Sequence, residues 1–458
     1  MTSLLSKPSW LLQLLLSAVA VVGQGIGTAD APPRLVTEKC TAQGGCVRQN
    51  TSLVLDASFH GLRARDGDGD GSCGGGRDGG PLSAALCPDA ETCARNCVLD
   101  GADYEGNGVL ADGSGVVLRQ YMRRGENGTE VERVSPRVYL LEDDEGRREE
   151  GGTGERNYEM LYLKSQEISF DVDVSKLVCG MNGALYLAEM NATGARGELN
   201  PAGARYGTGY CDAQCPKLPF INGANIESRG SCCTEMDLWE ANAFAAAFTG
   251  HACSEPGQYA CAGGECGALG VCSKSGCEYN TYRLGNKTFY GGGGKATVDT
   301  TRPFTVTTQF LTNTGDAAAG AILNEIRRLY VQDGRVIANA AVADPYMPPG
   351  DSIKMSHCQA SVAGTFENLG GLRQMGQALD RGMVLVGRIW NDDAAFMNWL
   401  DAGDAGPCSA TEGDPRLIAE NHADTQVAFS NIRWGDLGST YTAQAISLSR
   451  QEGEEGIQ

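Results

Sequence analysis

The stretch Ile168-Ser169-Phe170-Asp171-Val172-Asp173-Val174 alternates apolar and polar side chains without a break. Successive side chains of a strand point to opposite faces, so a period of two marks a segment buried on one side and wet on the other. Outward from it, apolar or β-branched runs recur along the whole chain: Leu53 to Leu55, Val138 to Leu141, Ala184 to Leu187, Phe304 to Leu311, Met383 to Val386 and Val427 to Ile432. Between Leu329 and Ile337, Asp333-Gly334 supplies the positive φ angles of a tight hairpin turn. Glycine, 63 of 458 residues, is roughly twice as frequent as usual, which favours turns over long helices. Helical spacing is confined to Leu372, Met375 and Leu379, and to a short helix that Asn391 or Asp392 would cap on the way to Leu400. The pattern predicts an all-β fold, two antiparallel sheets packed as a sandwich in one domain.

Residues 1–23 carry one positive charge, Lys7, then an apolar run from Trp10 to Val22 and a small residue, Gly23. The run is shorter than the ~20 residues that cross a bilayer, and its charge, core and exit residue match a secretory signal peptide. Residues 24–440 are expected to form the domain and 441–458 a polar tail. Without Lys7 the formal net charge goes from −20 to −21, so phosphate backbones and anionic membranes repel the chain while a neutral sugar polymer does not. Export leads to an oxidising compartment, where an even 18 cysteines read as a disulfide framework. Cys211-x3-Cys215 and Cys261-x4-Cys266 only loosely resemble zinc-ligand pairs. Sequons at Asn50, Asn127, Asn191 and Asn286 agree with an extracellular surface. Residues 66–80 open like a calcium loop with Asp66, Asp68 and Asp70, but Arg77 occupies the twelfth position, where a bidentate glutamate is needed. Residues 142–156 form a mixed charge run of the kind found in solvated loops.

The segment Cys232-Cys233-Thr234-Glu235-Met236-Asp237-Leu238-Trp239-Glu240 gathers three carboxylates into six residues. On a strand, Glu235 and Asp237 share a face, and strict alternation sends Glu240 to the other; a β-bulge between Asp237 and Glu240 brings it back. Two carboxylates about 5.5 Å apart repel by roughly 3 kcal/mol at an effective dielectric near 20. That is enough to hold one protonated near neutral pH while its neighbour stays ionised, the division of labour that retaining glycoside hydrolysis requires. Metal binding and an exposed acidic edge are the other readings. Adjacent cysteines on a strand face opposite sides, so Cys232 and Cys233 are expected to bond different partners and clamp the strand from both faces.

The stretch from Gly230 to Asn242, "GSCCTEMDLWEAN", resembles the catalytic strand of glycoside hydrolase family 7, the retaining cellulases. Further blocks match in the same order: "CGMNGALYLAEM" (Cys179 to Met190), "GARYGTGYCDAQCP" (Gly203 to Pro216), "YRLGNKTFYG" (Tyr282 to Gly291), "GMVLVGRIWNDDAAFMNWLDAGDAGPC" (Gly382 to Cys408) and "FSNIRWGDLGST" (Phe429 to Thr440). The resemblance implies a curved, concanavalin-like β-jelly roll with a glucan groove on its concave face. It implies Glu235 as nucleophile, Glu240 as general acid/base and Asp237 as the residue that orients and tunes Glu235. Among substrate contacts it implies Trp390 and Trp399 as sugar platforms, with His251, Arg137, Tyr186, Asp212, Gln214 and Phe59 around them, whereas Trp434 reads as core. The implied disulfides are Cys40–Cys46, Cys73–Cys97, Cys87–Cys93, Cys179–Cys408, Cys211–Cys233, Cys215–Cys232, Cys253–Cys272, Cys261–Cys266 and Cys277–Cys358; spacing alone could not have chosen them.

Within that resemblance, processive members roof their groove and endoglucanases leave it open. Here only Ala224 to Arg229 separate two matching blocks, Cys261 to Cys277 is contracted, and Trp399 to Cys408 lacks a long arginine-bearing loop. Phe59 and Gly61 stand where tunnel formers place tryptophans. The expectation is therefore a secreted monomer cutting internal bonds of β-1,4-glucan, with no metal or organic cofactor, no nucleic acid and no membrane as partner. An exo-acting cellobiohydrolase and a non-catalytic glucan-binding protein are the alternatives.

Overall fold

The computed structural model describes residues 25–65, 71–76, 80–142, 156–315, 318, 320–361 and 364–442. The expected leader, the four residues that decide the calcium-like loop, nearly all of the 142–156 run and all but the start of the 441–458 tail lie outside the described residues. No helix among the described residues is long and apolar enough to cross a membrane.

Two large sheets carry the fold. One has eight strands, in the spatial order Cys277–Asn280, Ala246–His251, Glu235–Ala241, Met181–Ala188, Met383–Asn391, Arg137–Leu141 and Ser52–Leu55, with Met160–Leu161 also on Met383–Asn391. The other has ten, built around Arg335–Ala338, Leu323–Gln332, Phe304–Thr312, Gln166–Asp173, Gln426–Asp436, Thr37–Thr41 and Gly45–Gln49. Pairing in both is antiparallel except where Thr37–Thr41 runs parallel to Gln426–Asp436. The chain is an all-β sandwich of two sheets.

The alternating stretch does what its period demands. Ile168, Phe170, Val172 and Val174 enter the core from the ten-stranded sheet and meet Leu185, Leu238 and Trp239 from the eight-stranded one. Phe170 lies edge-on to Trp239 and to Phe429, with ring centres 6.5 Å and 6.0 Å away. Each large side chain withdrawn from water contributes roughly 1.5–3 kcal/mol. Trp434 is part of this core. The Asp333-Gly334 turn closes a hairpin between Leu323–Gln332 and Arg335–Ala338, with φ of 53° and 73°.

Leu372, Met375 and Leu379 lie on the buried side of the helix Gly371–Arg381. The second helical expectation needs correction. Asn391 is still strand, Asp392 accepts from the N–H groups of Ala394 and Ala395 in a turn, and the helix is only Asn398–Asp401. Phe396 and Met397 take φ of 54° and 58°, a left-handed step that stops a helix from running through them. All 18 cysteines pair, in the nine combinations the resemblance implies.

Candidate active site

The Glu235–Ala241 strand carries a bulge in both of its ladders. Against Met181–Ala188, Tyr186 pairs with Asp237 but Leu185 pairs with Trp239, so Leu238 is skipped. Against Ala246–His251, the register shifts between Asp237 and Glu240. Leu238 and Trp239 therefore both enter the core, and Glu240 returns to the face of Glu235 and Asp237. A bulge leaves backbone groups outside the ladder, and here the Leu238 carbonyl accepts from Arg328, a fully buried arginine of the opposite sheet that lies 4.4 Å from the Phe248 ring centre.

All three carboxylates line one cleft of about 750 Å³, on the face of the eight-stranded sheet turned away from the core. Trp390, Trp399, His251, Arg137, Tyr186, Asp212 and Gln214 line it too. Phe59 does not; it lines an adjoining cavity of about 170 Å³ that shares Arg137, Leu218 and Arg388 with the cleft. The rings of Trp390 and Trp399 lie 6.3 Å apart at 31°.

The cysteine pair bonds two different partners as expected, but not from the two faces of one strand: Cys232 ends the short strand Gly230–Cys232, Cys233 lies in the link to Glu235, and both partners belong to one loop, which the bonds bring within reach of Glu235. Cys232–Cys215 and Cys233–Cys211 hold the 211–215 loop against the strand, so that the Ala213 N–H donates to Glu235 at 2.9 Å. In the same loop Asp212 accepts from the Tyr210 hydroxyl at 2.7 Å, and Tyr186 and Tyr210 hydroxyls meet at 2.8 Å. Cys253–Cys272 fixes the chain beside His251, whose Nδ1 donates to the Ser273 carbonyl at 2.8 Å. Its Nε2 lies 3.0 Å from Asp237 Oδ2. Both ring nitrogens thus face acceptors, which favours the imidazolium. Burial pulls the His251 pKa down, but the hydrogen bond and charge of Asp237 outweigh it and bring it to about 10. Gly276, at φ 63°, leaves room for this ring: a Cβ there would stand 2.7 Å from Nδ1.

Both glutamates are pushed up. Burial, then the charges of Asp237 and Asp212, lift Glu235 well above the usual carboxylate range. Burial, then Asp237, brings Glu240 to about 8, against the opposing hydrogen bond from Asn182 Nδ2 at 2.9 Å. The expectation of one displaced carboxyl is thereby enlarged: both are raised, each with Asp237 as its largest charged neighbour, so the site keeps protons that isolated carboxyls would have lost. Glu235, Asp237 and His251 also offer ligand atoms within 4.8 Å of one another. Because both His251 nitrogens are already engaged, this trio is a proton and charge network rather than a ready metal site.

Several residues escaped the sequence reading. Asn182 holds Glu240; it lies two positions before Ala184 and four before Tyr186, on the same strand face. Glu278 is ion-paired with Arg283 at 2.5 Å, and Arg283 also donates to the Trp399 carbonyl at 2.7 Å, which anchors the backbone of that residue. Tyr210, Lys274 and Arg388 complete the cleft walls.

A protein-family model described as Glycosyl hydrolase family 7 matches residues 24–441. The chain is 54% identical over 424 residues to a probable endo-beta-1,4-glucanase celB of Aspergillus terreus, covering 92% of this chain and 95% of that protein. Among solved structures, the native Humicola insolens endocellulase EGI is 43% identical with a TM-score of 0.83, covering 91% of this chain and 100% of that one. A family 7 cellobiohydrolase from Daphnia pulex is 35% identical with a TM-score of 0.82, covering 92% of this chain and 100% of that one.

Proposed function

Because the chain belongs to glycosyl hydrolase family 7, we propose that it is an endo-β-1,4-glucanase that cleaves internal bonds of cellulose-type chains with retention of configuration. The observation that carries this reading is the bulge, which puts Glu235 and Glu240 on one cleft wall with Asp237 between them in sequence. In its ionised form Glu235 attacks the anomeric carbon while Glu240 gives its proton to the departing glycosidic oxygen, forming a glycosyl ester and releasing one half of the chain. Glu240, now a carboxylate, takes a proton from water; the water oxygen attacks the same carbon, the ester bond breaks, and Glu235 is regenerated. Asp237 raises both partners electrostatically, and its pairing with the His251 imidazolium keeps the cluster from accumulating three full negative charges. Trp390 and Trp399 offer flat faces to sugar rings.

The short connection from Ala224 to Arg229 and the relatives named as endoglucanases favour internal cutting. The cellobiohydrolase of similar fold is the specific reason to keep exo action as the second reading. The same proposal makes residues 1–23 a leader and the protein a secreted monomer, in keeping with nine disulfides. It ends the domain at residue 440, since Thr440 donates its N–H and hydroxyl to buried Glu167 at 2.9 Å and 2.7 Å. Viscosity and reducing ends measured together on a neutral soluble β-1,4-glucan test the mode of attack. A steep early fall in viscosity per reducing end is expected, and a slow fall would overturn the endo assignment. Retention is checked by the anomeric configuration of the first product, with the inverted anomer refuting it.

A further inference from the structure

Arg388 carries a charge that the fold leaves unanswered. It stands on the Met383–Asn391 strand directly opposite Arg137 in the register, and like charges facing each other across a strand pair are destabilising. Arg137 is compensated: it pairs with Asp56 at 3.0 Å, and its guanidinium lies 3.5 Å from the Tyr210 ring centre. Arg388 has an aromatic neighbour but no carboxylate partner. Among the described residues it forms no ion pair or hydrogen bond, its Nε is shut off from water without an acceptor, and its guanidinium rests 4.8 Å from the Trp390 ring centre. Nη1 and Nη2 are not enclosed in this way and have no protein acceptor among the described residues, so a ligand that brings an acceptor to them answers the charge. The other cations of the cleft are engaged: Arg283 with Glu278 at 2.5 Å, His251 with Asp237 at 3.0 Å, and Lys274 with the Ala213 carbonyl at 2.6 Å.

The register fixes where this charge sits relative to the chemistry. Glu240 pairs with Ala184, and Ala184 pairs with Arg388, so the two residues occupy one rung at a distance of two strand spacings, ~10 Å. Arg388 also lines both the cleft and the adjoining cavity that holds Phe59, which places it at the seam where a long ligand passes from one to the other. On the far side of the Ala184 strand stand Glu235, Asp237 and Glu240, an acidic cluster whose retained protons an incoming anion would have to compete with, so that it disfavours an anion. A negatively charged substrate ring is therefore disfavoured at the reacting end and welcomed only at the Arg388 end.

Resting on the glucanase reading above, we propose that Arg388 recognises a sugar carboxylate, so that the site favours β-1,4-linked chains bearing a uronate on the ring held against it. The planar guanidinium fork matches a carboxylate bidentately, a geometry that a neutral hydroxyl does not offer. The carboxylate has two chemical sources, a C6-oxidised glucose unit within the chain or a uronic acid branch upon it.

The test uses the full chain in a Glu235→Gln background, so that ligands survive. Calorimetry compares a neutral β-1,4-gluco-oligosaccharide with its C6-oxidised and its uronate-branched counterparts, at low and high salt. One of the acidic ligands should bind roughly 10-fold tighter than the neutral one, as one added charge-assisted pair allows. The preference should vanish in Arg388→Gln, survive in part in Arg388→Lys, and weaken as salt rises. The arm whose preference Arg388→Gln abolishes tells which source the site reads. Equal binding of all three ligands, a preference that Arg388→Gln leaves intact, or an equal weakening of neutral and acidic ligands would each overturn the proposal. The functional reading fails separately, if the wild-type chain releases no sugar from neutral glucan.

Discussion

Glu167 and Glu235 are both buried glutamates, one on each sheet, and the molecule treats them in opposite ways. Glu167 faces away from the core under the segment 438–440 and accepts four hydrogen bonds: from Gln309 Nε2 at 2.8 Å, the Gly438 N–H at 2.8 Å, the Thr440 N–H at 2.9 Å and the Thr440 hydroxyl at 2.7 Å. Glu235 receives a single peptide N–H, from Ala213, and has Asp237 and Asp212 as charged neighbours. A carboxylate supplied with donors is a structural fastener. One starved of donors and crowded by like charge is held in a state that its own reaction relieves, which is the condition of a catalytic group. Two residues of the same type and similar depth thus differ in what the surrounding backbone offers them.

The largest expected effect separates the two outright. Glu235→Gln should lower kcat by roughly 10⁴-fold or more, while the melting temperature holds or rises because a buried like-charge contact is gone. Reducing-sugar release and a thermal melt on the same sample check both halves, and a loss under about 10²-fold would remove Glu235 from the nucleophile's role. Next comes the prop beneath the bulge. Arg328→Met keeps the apolar contact with Phe248 but withdraws the donor from the Leu238 carbonyl, so Glu240 is free to drift. A displacement of about 1 Å costs on the order of 10²-fold in rate, with KM moving much less; an unchanged kcat would mean that the bulge holds itself. Glu167→Ala inverts the first experiment. It should cost about 2–3 kcal/mol of stability by stranding buried donors, while kcat well below the melting temperature stays within about twofold.

These contrasts also mark what a sequence discloses. Ile168 to Val174 could be read at once, because a strand half in a core writes its period into adjacent residues. The bulge was legible for a related reason: Glu235, Asp237 and Glu240 have a spacing that no unbroken strand can bring to one face. By contrast, Asn182 and Arg388 owe their places to neighbours on adjacent strands, Glu278 and Arg283 to each other and to Trp399, and each residue type is ordinary on any protein surface. The Met383 run reads as ending near Val386 because Gly387-Arg388 breaks its apolar character, although the strand continues to Asn391 with Arg388 and Trp390 on the cleft side. Asp392 looked like a helix cap because its own chemistry is right; the left-handed residues that follow, Phe396 and Met397, carry no sequence mark of that conformation. Disulfide connectivity came from the resemblance alone, since cysteines as far apart as Cys179 and Cys408 are joined only by the fold.

The smallest predicted effect concerns protons and sharpens the comparison most. His251 has its folded-state pKa raised to about 10 and Glu240 to about 8, with Glu235 raised as well. For the histidine, the stabilisation is full below its ordinary value near 6.5 and is lost as pH rises through about 10. For the glutamates, the folded state keeps protons that the unfolded chain releases above about 4.5, so stability again falls as pH climbs toward 8. All three groups push in one direction, and melting temperature should decline steadily from about pH 5 to pH 8, each group adding at most about 1.4 kcal/mol per pH unit. Glu240→Gln should flatten that slope; a steeper slope, or none in the wild type, would contradict the picture of a proton-retaining cluster. In the proposed mechanism Glu240 serves as an acid only while protonated, so kcat/KM should fall above about pH 8. Asp237→Asn removes the charge that, after burial, does most to lift Glu240, and the alkaline limb should move to lower pH. A limb that stays in place would assign the retained proton to burial alone, and would leave Asp237 to orient His251 and no more.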